Sequence, residues 1–146
     1  MRQLLSGMVL LGIMTLRNSV LSGGVEDVPA SSRARQFLSE HEAKVRPLEK
    51  AVSLAWWQAN ISGKDEDFKA KEEAQNRLDA VLADSSRFAE LKKIREALSG
   101  SAKKADETLV REIEVLYLQY LEKQVDPELL RKMTAKANAV EKAFNV

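Results

Sequence analysis

Leu48 to Phe68 reads LEKAVSLAWWQANISGKDEDF, and the fold class turns on this stretch. Val52, Ala55, Trp56 and Ala59 recur at three- and four-residue steps, the period of a helix with one apolar face. Asn60-Ile61-Ser62-Gly63 ends the run. Asp65-Glu66-Asp67 then places negative charge where a new helix begins, the favoured end of its dipole. The stretch predicts two consecutive helices joined by a tight turn.

Upstream, Phe37, Leu38, His41, Val45 and Leu48 carry the same stripe back, so a first helix is expected from about Arg33 to Asn60. Pro47 lies inside it and predicts a kink or split near Val45-Arg46, since proline removes a backbone donor and crowds the preceding turn. Downstream, Phe68, Ala74, Leu78, Val81 and Leu82 mark the inner face of the second helix. Asp84-Ser85-Ser86 breaks it and caps a third, with Phe88, Leu91, Ile94 and Leu98 inward and Gly100 at its end. After the polar linker 101–104, Leu109, Ile113, Leu116, Tyr117, Tyr120 and Leu121 form the stripe of a fourth. Asp126-Pro127-Glu128 supplies a capping side chain, a proline at the first helical position and an acid in the first turn. The fifth helix that follows aligns Leu129, Leu130, Met133, Ala137, Val140 and Phe144 on one face. With no glycine or proline after Phe144, its end reads as cut. The expected fold is all-α, about five helices in an antiparallel bundle, and a fragment of something larger. No internal repeat stands out, which argues against a solenoid.

Composition sets the bounds. One domain is the natural expectation for 146 residues, and 45% apolar with 31% charged residues suits a folded chain. The net charge is +1, from 23 basic and 22 acidic residues that are interspersed, so no nucleic-acid footprint is expected. The absence of cysteine excludes disulfides, thiolate metal sites and cysteine nucleophiles. Met1-Arg2 followed by the apolar Leu4 to Leu16 reads as an export signal, too short to span a bilayer. Val20 and Ser22 place the cut before Gly23, although Arg17 sits between core and cut. The other reading is an amphipathic N-terminal helix or an uncleaved anchor. Residues 1–22 are therefore expected to be a signal, 23–32 a linker and 33–146 the helical domain. The location is exported, periplasmic or extracellular, and membrane-associated if the signal stays.

Little catalytic chemistry is on offer. His41-Glu42-Ala43-Lys44-Val45 opens like a zinc-binding His-Glu-x-x-His helix but has Val45 where the second ligand must stand. His41 is the sole histidine, so a hydrolytic serine has no other conventional base, and no glycine-rich phosphate loop occurs. No catalytic and no metal residue is assigned. Trp56 and Trp57 point about 100° apart on a helix, so one is expected in the core and the other at its rim. The functional alternative is that the outer ring lines a groove for a peptide. Asn60-Ile61-Ser62 fits the N-glycosylation pattern, making Asn60 a candidate site, although ending the helix is its plainer role.

Trp56, Trp57, Asn60, Ile61 and Ser62 resemble the helix-ending tryptophan and Asn-Ile-Thr/Ser turn of zinc peptidyl-dipeptidases of the angiotensin-converting-enzyme type and related oligopeptidases. Leu116-Tyr117-Leu118-x-Tyr120 with Gln124 to Leu130, and Glu141-x-x-Phe144-Asn145, are similar to its following helices. The resemblance covers Arg33 to Val146. It implies a helical lid over a deep channel that admits short peptides, with Trp56 and Trp57 as candidate channel or lid residues. The zinc ligands, the glutamate base and the carboxylate-binding residues of that family lie downstream, and none maps to a position here. On this reading the chain is the substrate-gating part of an exported zinc-dependent peptidase, inactive alone, with zinc belonging to the full-length parent. Its partners would be the remainder of the peptidase, through the Leu129–Phe144 face, and the peptide substrate. The rival is a stand-alone exported helical module that binds a protein through that same face. A third reading is a scaffold with no ligand.

Overall fold

The computed structural model describes residues 29–100 and 106–144, so the expected export signal and most of both linkers lie outside the described residues. Among the described residues the chain forms five helices and no strand: α1 (Ala30–Ser62), α2 (Asp65–Leu82), α3 (Ser85–Gly100), α4 (Glu107–Leu121) and α5 (Pro127–Ala143). None is long and apolar enough to cross a membrane. The all-α bundle is as the sequence predicts.

The punctuation has local causes. Gly63 ends α1 with φ 66°, a left-handed conformation that costs glycine no Cβ clash, and its N–H donates to the Ala59 carbonyl. Asp84 accepts from the Ser86 and Arg87 N–H groups at 2.9 and 3.1 Å, opening α3. Asp106 and Asp126 cap α4 and α5 in the same way, and Pro127 follows at the first position of α5. At the α1–α2 turn, Asp67 accepts from Ser62 Oγ at 2.5 Å and from Gln58 Nε2, and these bonds hold its carboxyl below the usual range.

Pro47 does not split α1. One helix runs unbroken over 33 residues, beginning at Ala30 rather than Arg33. Pro47 and Ala43 are both exposed, so the carbonyl that loses its partner faces water instead of the core. Val45 before the proline is buried in the core and Leu48 after it is half-buried, which anchors the helix on its inner side.

The two halves of α1 serve different neighbours. Its N-terminal half packs against α3 and α4: Ala34, Phe37 and Val45 join Phe88, Leu91, Ile94, Leu98, Leu109, Ile113, Leu116 and Tyr120 in one core. Arg87 lies over the Phe37 ring at 4.0 Å and pairs with Glu40 at 2.9 Å, tying α3 to α1. Tyr117 stacks on Phe88 with centroids 5.4 Å apart. Its C-terminal half packs along α2, which doubles back through the Gly63-Lys64 turn. Helix α5 lies on α2.

That last contact departs from the expected pattern. Of the α5 stripe, only Leu130 is buried, whereas Leu129, Met133, Val140 and Phe144 are 49, 53, 50 and 85% exposed. The helix meets α2 with Leu130 and Asn138 instead. Leu121, expected inward on α4, is also exposed.

Candidate functional site

A groove of about 780 Å³ opens between the C-terminal half of α1, the middle of α2 from Lys71 to Asp79 and one edge of α5. Its α1 wall carries Val52, Trp56 and Trp57, and its α5 wall carries Leu130, Met133 and Ala137. Neither tryptophan enters the core, in contrast to the expectation that one would. They are 44 and 61% exposed, because Ala59 takes the inward position on that turn and leaves the two rings at the edge. Burying an indole normally yields a large apolar gain, which both rings in part forgo; Trp56 ties α1 to α5 through Glu141, and Trp57 is the more exposed of the two.

The floor is polar and closed on itself. The Asp79 carboxylate, 3% exposed, accepts from Gln75 and Thr134 at 3.0 Å each and pairs with Lys123 at 3.2 Å. Burial opposes the Lys123 charge, but Glu122 and Asp79 outweigh it and raise the ammonium above its ordinary value. At the other end Glu141 of α5 takes Lys71 from α2 and Asn60 and Trp56 from α1. Burial pushes the Glu141 carboxyl up, yet these donors hold it lower than usual. Asn138 donates to the Phe68 carbonyl at 3.0 Å, while its buried Oδ1 has no partner among the described residues. Lys142 reaches Asp65 at 2.6 Å. Thus α5 is attached mainly through charges and amides. Sequence reasoning missed Asp79 and Asn138, since a polar residue on a helix reads as solvent-facing until a neighbouring helix covers it.

The structure brings three of the sequence candidates together. Trp56 and Trp57 share the groove wall, and Asn60 sits one turn beyond, half-buried, its Nδ2 donating to the Trp56 carbonyl and to Glu141. Those bonds engage the atom that a glycan would need.

His41 lies elsewhere, on the N-terminal half of α1. Its Nδ1 is 3.2 Å from the Tyr120 hydroxyl, and the rings are 5.6 Å apart. Arg87 donates to the same hydroxyl. Burial holds the imidazole below its ordinary value. Among the described residues no group of three or more His, Asp or Glu side chains converges as a metal site would require. The arrangement around Trp56 and Trp57 combines aromatic walls, an aliphatic opposite side and a polar floor whose Asp79 and Glu141 charges are met by Lys123 and Lys71. No family model, no curated protein and no solved structure matches this chain.

Proposed function

We propose that this chain is a helical protein-binding module that takes an apolar segment of another protein into the tryptophan groove. The observation that supports it is the pair of neighbouring, half-exposed tryptophans facing Met133 and Ala137 across that groove. A helix laid there would bury its apolar face between α1 and α5 over α2, the helix-in-groove mode of recognition. Tryptophan is enriched among residues that dominate binding energy because a rigid indole buries much area at little entropic cost.

The peptidase reading rests on the sequence resemblance alone. On it, the groove would meet substrate peptide, the exposed face of α5 would meet the remainder of a longer enzyme, and zinc would belong to that remainder. Both readings make the groove the contact surface, and they differ in what fills it.

Fluorescent amphipathic peptides about four turns long, differing only in charge, are the probe. Tryptophan emission of the full chain is recorded as each is added. At least one peptide is expected to shift the emission saturably. Trp57→Ala is expected to weaken it by roughly tenfold or more, while changing stability by less than about 1 kcal/mol, as for an exposed position. Binding that survives replacement of both tryptophans would place recognition elsewhere.

A further inference from the structure

Two surfaces match each other, one bordering the tryptophan groove at Met133 and the other on the far half of the molecule. The first is the outer edge of α5, where Leu129, Met133 and Val140 stand exposed beside Lys132 and Lys136. This is a basic amphipathic helix whose apolar strip faces away from its own protein. The second is a groove of about 990 Å³ on the other half of the molecule, between the N-terminal half of α1 and α4. Leu38, Val115 and Leu116 form its apolar bed. Glu42, Glu49, Glu107 and Glu112 line it against Arg35 and Arg111; Arg35 is already paired with Asp106 at 3.0 Å and Glu42 with Arg46, which leaves three carboxylates against Arg111. The lining is therefore net acidic.

Length and charge both fit. The groove runs from Arg35 to Glu49 along α1, about 21 Å at helical rise, and from Glu107 to Gln119 along α4, about 18 Å. The strip from Leu129 to Val140 extends about 17 Å. Each surface interleaves apolar residues with charges, ammonium groups on one and mainly carboxylates on the other, the complementarity that sets register in specific interfaces.

We infer that the chain associates with a second copy of itself, the outer face of α5 from one copy lying in the α1–α4 groove of the next. Such a contact is heterologous in its two patches. It closes as a pair if each copy both gives its helix and receives one, and otherwise it grows as a row. It uses no tryptophan, and it shares only the α5 edge at Met133 with the tryptophan groove, so the two are separated by testing the chain without any partner and by reversing charges that do not line that groove.

Charge exchange tests it. The full chain is studied by sedimentation velocity over a wide concentration range, without any partner, together with two reversed variants and their combination. Lys132→Glu with Lys136→Glu inverts the helix, and Glu49→Lys with Glu112→Lys inverts the groove. All four side chains are exposed, and among the described residues the one ion pair they make is Lys132 with Glu128 at 2.7 Å. The unaltered chain is expected to exceed its 16.3 kDa monomer mass as concentration rises. Each reversal should weaken association by about tenfold or more, and raised salt should do likewise. The combined variant should regain it, which a misfolded protein could not do. A chain that stays monomeric throughout overturns the inference. So does association that ignores both reversals, or a combined variant no stronger than either half.

Discussion

At the scale of single residues, His41 sits half-buried between Tyr120 and Arg87, with Glu42 and Glu49 on its own helix favouring its charged form. Burial is the larger influence and holds the imidazole below its ordinary 6.5, so the unfolded chain takes up the proton first as pH falls. The stability that neutral His41 provides is complete above about pH 6.5 and is lost as pH falls through the lowered folded-state value. Urea midpoints should therefore drop between about pH 7.5 and 5.5 in the parent, and stay nearly level in His41→Gln. Asp84 and Glu141, both held below the usual carboxylate range, add a separate loss at more acidic pH. An equal slope in parent and variant across the upper window would show that His41 carries none of it.

The long first helix poses its question at the element scale. Proline in a helix interior forfeits one backbone bond and crowds the turn before it, at about 3 kcal/mol in exposed hosts. Helix α1 absorbs this at Pro47 because both its flanks are anchored, by α3 and α4 before the proline and by α2 after it. Pro47→Ala restores the donor to the Ala43 carbonyl at an exposed position. It should raise the unfolding free energy by about 1–3 kcal/mol in urea. A loss of stability instead would mean that the proline sets a curvature the packing needs. The reverse logic holds at Gly63, where the positive φ fits glycine and disfavours any side chain.

Across the whole molecule, apolar burial is unevenly shared. The core draws on α1, α3 and α4 with the end of α2, whereas α5 contributes Leu130 and otherwise holds on through Asn138, Thr134, Glu141 and Lys142. Elements with few buried apolar contacts open at lower free energy than the core. In hydrogen exchange at low protein concentration, α5 amides should therefore exchange through an opening that leaves α3 and α4 protected. They should exchange faster still in high salt, which weakens the partly exposed Lys142–Asp65 pair most. Exchange of α5 at the same rate as α4 would instead show a single cooperative unit.

By itself the sequence determined the five helices and most of their ends, though not that α1 begins at Ala30 and runs through Pro47 unsplit: the 3.6-residue stripes, the aspartates before α3, α4 and α5, and Gly63 at the end of α1 act through neighbours a few residues away. It also determined the inward faces of α3 and α4, where Phe88, Leu91, Ile94, Leu98, Leu109 and Ile113 are buried as their spacing predicts. Trp56, Trp57 and Asn60 were legible as special, but not their arrangement in one groove with Met133 and Ala137. Only the tertiary structure decided that both indoles stay at the surface, that Asp79 and Asn138 go inside, and that the apolar stripe of α5 turns outward. Those outcomes depend on which helix lies beside which across gaps of 55 to 81 residues, as in Asp79 with Thr134 and Asn60 with Glu141. A local pattern fixes which side of a helix is apolar; what covers that side is settled by long-range packing.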